Sequence, residues 1–118
     1  MLFNAVPQTA NSADPRAPED KNIFKPVWSA PPAKRAEIAA DVYISACRKM
    51  SAAAAMTSLD SLNRIAVQLD DKTLQCAVYW FRADYYSVNK LFNPLSIHYY
   101  QEGIDFAKKN MLLPTLSN

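Results

Sequence analysis

The stretch that decides the fold runs from residue 72 to residue 92 and reads KTLQCAVYWFRADYYSVNKLF. Its apolar side chains recur at alternating intervals of four and three residues, which is the spacing of one face of an α-helix. Further apolar residues lie between them, so we expect this helix to be apolar nearly all round and central to the fold. The face consists of Leu74, Val78, Phe81, Tyr85, Val88 and Phe92.

Two helices are predicted before this one. Residues 33–50 follow Pro32, which suits the first turn of a helix, and carry an apolar stripe at every fourth position. Residues 52–69 contain an alanine run of high helix propensity, and the candidate N-caps are Ser51, Thr57 and Ser58. The acidic pair Asp70-Asp71 ends that segment and can cap the next helix.

A fourth helix is predicted at about 95–109, after Asn93-Pro94 has ended the central one. We expect Gly103 to divide it into two short pieces. Short connections favour antiparallel neighbours, so the sequence predicts an all-α domain of four helices. The fourth helix offers Leu95, Tyr99 and Phe106 on one side, and Ile97, Tyr100 and Ile104 on another.

Residues 1–32 differ in composition from the rest and hold six of the eight prolines. Proline disfavours helices and central strands, so we interpret this segment as an extended arm ahead of a helical domain at 33–118. An apolar cluster at the end of the arm has two interpretations. It covers the domain's own core, or it is a linear motif that docks on a partner with Trp28 as its anchor. The cluster consists of Ile23, Phe24, Val27 and Trp28.

Composition excludes several classes of protein. Thirteen Lys and Arg against eleven Asp and Glu give a net charge of +2, too small to predict a nucleic-acid or membrane partner by itself. A single glycine argues against phosphate-binding loops and tight hairpins. No apolar stretch is long enough to span a membrane, and the first ten residues do not resemble a signal peptide. Cys47 and Cys76 are expected to be reduced thiols in a cytoplasmic protein.

Catalytic and metal-binding groups are sparse. His98, the single histidine, has no nucleophile and orienting partner near it in sequence, and the two cysteines lack zinc-ligand spacing. Asp84 lies among aromatic residues, where it either pairs with Arg82 or a lysine of another helix, or is solvated on the narrow polar side. We therefore expect no enzymatic activity, no metal and no other cofactor.

The central helix carries more aromatic residues than one apolar face can bury. After the face at spacings of four and three is assigned, Tyr79, Trp80 and Tyr86 remain, and we interpret them as anchors of a protein interface. The alternative is that bases of single-stranded nucleic acid stack on these rings. In that case Arg82 and Lys90 are the candidate phosphate contacts.

Trp80 is followed by the segment Leu91–Tyr99, which reads LFNPLSIHY. In this respect residues 64–100 resemble the C-terminal segment of phage and plasmid replication proteins of the replisome-organiser and helicase-loader type. There a helix that ends in tryptophan precedes a Leu-x-Pro-x-Thr/Ser-hydrophobic-aromatic signature. Here His98 stands where that signature has its aromatic residue, and Tyr99 follows. The resemblance implies a protein that contacts a replicative helicase or initiator, and it implies no catalytic residues.

These observations lead to one hypothesis and two alternatives. The chain is expected to be a non-enzymatic interaction module that binds another protein of a replication or other nucleic-acid machine, in a phage or mobile-element context. The first alternative is a small structural subunit of a virion or other assembly, which laces to its neighbours through the arm. The second is a weak binder of single-stranded nucleic acid. A membrane partner is not expected, and a homo-oligomer is compatible with the sequence.

Overall fold

The computed structural model of the chain describes residues 22–89 and 93–112, which form helices joined by short turns. Within these residues no strand occurs, and the all-α fold predicted from the sequence is confirmed. Two short 3-10 turns flank the second helix, at Pro32–Lys34 and Cys47–Lys49. The α-helices are α1 (Lys25–Ser29), α2 (Arg35–Ala46), α3 (Ala52–Gln68), α4 (Lys72–Asn89) and α5 (Pro94–Lys109).

Polar side chains cap the starts of the three longest helices. The hydroxyl of Ser51 accepts a hydrogen bond of 3.2 Å from the backbone N–H of Ala54 at the start of α3. A carboxylate oxygen of Asp71 accepts one of 2.9 Å from the N–H of Leu74 in α4. The side chain of Asn93 does the same for the first turn of α5. The predicted caps at Ser51 and Asp71 are therefore confirmed.

The ends of α3 and α5 share one hydrogen-bond pattern. The residue after each C-cap has a positive φ, 51° at Asp70 and 61° at Met111. The following N–H then reaches back five residues: Asp71 donates to the carbonyl of Ala66, and Leu112 donates to the carbonyl of Ala107. This is the Schellman turn, in which glycine is the usual left-handed residue. Here an aspartate and a methionine occupy that position.

The core lies where α4 packs against α2 and α3, with α5 covering another side of α4. Leu74 and Val78 are fully buried and Tyr85 is 2 % exposed, which confirms the predicted central position of this helix. Val88 differs from the prediction because it is 55 % exposed. The hydroxyl of Tyr85 donates to the carbonyl of Met50, just before α3 begins, so Val88 lies beyond the helices that cover the core face. Phe92, the last residue of the predicted face, lies outside the described residues.

The final part of the predicted arm belongs to the packed domain. Phe24 and Val27 are fully buried, and Ile23 and Trp28 pack against the same core. Within the segment interpreted as an extended arm, Lys25–Ser29 form the short helix α1, in which Pro26 lies in the first turn, where its missing N–H is not needed. The apolar cluster therefore covers the chain's own core, as the first of its two interpretations holds. Residues 1–21 of the predicted arm lie outside the described residues.

The chain's single glycine lies inside an uninterrupted helix. The prediction that Gly103 divides the last helix is wrong, since α5 continues from Pro94 to Lys109. A Cβ atom at Gly103 would lie only 2.4 Å from ring atom Cζ3 of Trp80. Glycine is needed here because it lets the indole of α4 lie directly on the backbone of α5.

Candidate functional site

The three aromatic residues predicted as a protein interface pack against α5 of the same chain. All three are half-buried, and each faces an aromatic ring of α5. Stacked and tilted rings at these separations attract one another, so the contacts hold α5 on α4. Their main partner is thus inside the molecule. The ring pairs are Tyr79–Phe106, Trp80–Tyr100 and Tyr86–Tyr99, with centroids 5.6, 6.1 and 6.0 Å apart.

Trp80 has a second environment, because its indole also lines a small cavity beside α5. The cavity has a volume of about 170 Å³, and side chains of α2, α4 and the end of α5 surround it. Apart from Thr73, every lining residue is apolar or a thiol. We call it the Trp80 cavity. Its lining consists of Ala36, Thr73, Cys76, Ala77, Trp80, Ala107 and Leu112.

An exposed apolar stripe continues from this cavity along α5. Ile97 is 60 % exposed, Tyr100 is 42 % exposed and Ile104 is half-buried. Their spacing of three and four residues places them on one flank of the helix. Tyr100 links them to the cavity because its ring contacts that of Trp80. We call these three residues the α5 stripe.

A shallow, charged depression adjoins the Trp80 cavity. Ala36 and Thr73 line both, so the two are neighbours. The depression is lined by the start of α2 and by the turn between α3 and α4. Arg35 and Asp71 belong to its lining and form an ion pair of 3.2 Å that is largely buried. The candidate site is therefore a groove, apolar at Trp80 and polar at this end.

The most connected polar group near α4 is Asp84, and it differs from both interpretations of the sequence. Its carboxylate accepts two hydrogen bonds, of 3.0 and 3.1 Å, from the guanidinium of Arg48. The hydroxyl of Tyr43 donates a third, of 2.5 Å. Burial raises the pKa of Tyr43 above its ordinary range, and the hydrogen bond to the carboxylate raises it further. The cluster ties α2 and the turn after it to α4.

The candidate nucleic-acid contacts are placed as follows. The guanidinium of Arg82 lies 2.7 Å from a carboxylate oxygen of Asp60 in α3, and its side chain is only 16 % exposed. It also lies 5.9 Å from the ring centroid of Tyr99. Lys90 lies outside the described residues. Arg82 therefore serves contacts between helices of this chain.

The remaining reactive side chains lie apart from one another. His98 is exposed, with Nε2 lying 3.4 Å from the carboxylate of Glu102 one turn later. Cys47 and Cys76 are free and buried, and burial raises the pKa of Cys47 to about 11 and that of Cys76 above its usual value. Among the described residues, no three His, Cys, Asp or Glu side chains come together as metal ligands. In the same part of the chain, no helix combines the length and apolarity that crossing a membrane requires.

Sequence reasoning singled out Trp80 but missed most residues that form the groove around it. Their signal was the spacing of small side chains: Ser96, Gly103 and Ala107 are all buried and recur on one face of α5. A stripe of this kind indicates that another helix approaches closely. The helix that contains Trp80 continues to Asn89, so Trp80 lies in mid-helix, which differs from the helix-ending tryptophan expected from the sequence.

The comparisons with known proteins give no relatives of this chain. No family model matches the sequence, and neither a curated protein nor a solved structure matches it.

Proposed function

We propose that the chain is a non-enzymatic interaction module that binds a segment of another protein on the α5 stripe and in the Trp80 cavity. The observation that carries this proposal is the continuity of exposed apolar surface with an apolar cavity. Ile97 and Tyr100 are 60 % and 42 % exposed, and Tyr100 contacts the tryptophan that lines the cavity. Single exposed apolar side chains are ordinary, whereas a contiguous patch of them marks interaction sites.

The shape of the surface suits one kind of partner segment. A cavity of about 170 Å³ accommodates one large apolar side chain, and the α5 stripe extends beside it for two helical turns. An amphipathic helix offers apolar side chains at this spacing and binds grooves through them. Tryptophan and tyrosine supply a large share of binding energy in such interfaces. The partner segment is accordingly an amphipathic helix with one apolar side chain in the Trp80 cavity.

The resemblance of residues 64–100 to replication proteins supports a class of partner. We propose a replicative helicase or initiator, in a phage or mobile-element context. No observation on the described residues supports either alternative, the structural subunit or the binder of single-stranded nucleic acid. The end of the arm, with Phe24 and Val27, packs into its own core, and Arg82 pairs with Asp60.

The test is an affinity pull-down of the tagged full chain from source cells, with a variant in the α5 stripe and a matched control. Ile97→Gln adds a polar group to the stripe at a position that is already 60 % exposed, so folding is preserved. Val67→Gln makes the same chemical change on α3 at a position that is 56 % exposed. We expect a helicase or initiator to be recovered with the original chain and with Val67→Gln, and to be depleted with Ile97→Gln.

Two results would contradict the proposal. Equal recovery with both variants would show that the partner binds elsewhere on the chain. Recovery of structural proteins alone would favour the assembly subunit. A shortened chain for this experiment has to begin at Asn22 and not at residue 33, because Phe24 and Val27 are fully buried in the core.

A further inference from the structure

We infer that the segment bound in the groove is acidic: it carries carboxylates next to the apolar side chain that enters the Trp80 cavity. The inference rests on the proposed function and adds the charge of the partner. The observation behind it is the arrangement of charged side chains around the groove.

The charges that line the depression cancel in pairs. Arg35 pairs with Asp71 at 3.2 Å, between the start of α2 and the start of α4. The ammonium group of Lys72 lies 3.7 Å from Asp70 in the preceding turn. At the entrance to α2, Lys34 lies 3.6 Å from Glu37. The two cations and two anions of the lining, together with the adjacent Lys34–Glu37 pair, therefore leave this part of the groove without a net charge.

The end of α5 adds two lysines that form no ion pair within the described part of the chain. These are Lys108 and Lys109, and both are exposed. Lys108 directly follows Ala107 of the cavity lining and lies one turn after Ile104, on the flank of the α5 stripe. The cavity and the stripe thus meet at an unpaired ammonium group.

The carboxylates of α5 are engaged with other side chains and do not pair with Lys108. Glu102 contacts His98 and, by helical spacing, lies on the far side of α5 from the stripe. Asp105 lies one turn before the two lysines, but its carboxylate accepts a hydrogen bond of 3.2 Å from Gln101 and forms no ion pair with either of them among the described residues. A partner that carries a carboxylate beside its apolar anchor gains an attraction to Lys108, whereas a basic partner is repelled there.

The experiment is a selection from a random peptide library displayed on phage, with the full chain as the target. Peptides are retained when they bind the original chain and Val67→Gln but not Ile97→Gln, since these depend on the α5 stripe. We expect the retained peptides to be enriched in Asp and Glu beside an apolar residue. Their affinity should fall about five-fold in Lys108→Glu, which is the scale of an exposed ion pair replaced by a repulsion, and the loss should diminish in high salt.

Lys49→Glu is the matched control, because Lys49 is also exposed and does not line the groove. Retained peptides without acidic enrichment, with the same affinity for Lys108→Glu and Lys49→Glu, would overturn the inference and leave the proposed function intact. Acidic peptides that still bind Ile97→Gln would also overturn it, since their carboxylates would be recognised elsewhere. Absence of any peptide that depends on the stripe would overturn the proposed function together with the inference.

Discussion

The two sides of α4 bury their apolar side chains to different extents. Toward α2 and α3, Leu74 and Val78 are fully buried and belong to one hydrophobic core. Toward α5, Tyr79, Trp80 and Tyr86 are each half-buried, although the residues are larger. The size of an apolar side chain therefore does not determine how deeply it is buried. The number of helices that surround it does.

The difference follows from what covers each side. Two long helices meet the core side, and α1 seals the same core with Phe24 and Val27. The main helix on the aromatic side is α5, and α2 contributes Ala36 to the cavity lining there. Wide rings bridge from one helix to the next, but beyond their edges nothing fills the space, and the Trp80 cavity lies there. The core side provides stability, and the aromatic side leaves a surface open for binding.

The largest predicted loss of stability comes from a substitution on the core side of α4. Leu74→Ala removes a fully buried side chain from the core and leaves a cavity there, so we expect a loss of about 3 kcal/mol in the free energy of unfolding. Urea denaturation followed by circular dichroism measures this quantity. A loss below that of any single substitution on the aromatic side would contradict the comparison.

A smaller effect is expected where α5 crosses α4. Gly103→Ala places a methyl group 2.4 Å from the Trp80 ring, and forced repacking of this kind costs about 2 kcal/mol. The alanine also has a higher helix propensity than glycine, which offsets part of that cost. Thermal unfolding of the variant should show a net destabilisation. Ala107→Gly, on the same face of α5, is the control that lowers propensity without crowding the indole.

The polar cluster at the border of the core side predicts a pH dependence. Because the pKa of Tyr43 is raised in the folded chain above its ordinary value of 10.0, folding favours the protonated phenol. This contribution is fully present below pH 10.0 and is lost as the pH rises above it. Tyr43→Phe should cost about 1 kcal/mol at neutral pH, through loss of the hydrogen bond to Asp84.

The measurement for this prediction is the free energy of unfolding from pH 7 to pH 11 for both chains. The difference between the original chain and Tyr43→Phe should shrink above pH 10.0. A constant difference across that range would show that the hydroxyl does not resist ionisation. Burial of Cys47, whose pKa is raised to about 11, adds an alkaline loss common to both chains.

The smallest predicted change in stability concerns the turn at the end of α5. Met111 has a φ of 61°, a conformation that costs a residue with a side chain about 1 kcal/mol and costs glycine little. Since Met111 is 84 % exposed, its side chain contributes little packing in return. Met111→Gly should therefore raise the free energy of unfolding by about 0.5 kcal/mol, measured by urea denaturation. A destabilised variant would show that the exposed methionine makes contacts that favour this turn.

The sequence allowed the long helices and their caps to be predicted because periodicity, Ser51 and Asp71 act locally. It failed for α1, since five residues with a proline form a helix only when Phe24 and Val27 are buried by the rest of the chain. Local spacing also does not show which helix covers a second apolar face. For this reason the sequence did not show that the predicted interface residues Tyr79, Trp80 and Tyr86 pack against α5 of the same chain.

The polar partners were predictable only in part. Asp84 has Arg82 two residues away, yet it pairs with Arg48, which is 36 residues distant. Arg82 in turn pairs with Asp60 of α3. Each choice follows from how the helices are rotated about their axes, and that rotation is set by core packing that no local charge pattern records.

The two tryptophans supply the molecule with separate optical reporters. Trp28 packs against the core beside α1, and Trp80 lies on the backbone of α5 at Gly103. In the Trp28→Phe variant, all tryptophan fluorescence comes from Trp80 on the aromatic side. In the Trp80→Phe variant, it all comes from Trp28 on the core side. Transitions at different denaturant concentrations in the two chains would reveal that α5 detaches before the core melts. Coincident transitions would mean that α5, although it covers the aromatic side only in part, unfolds together with the core.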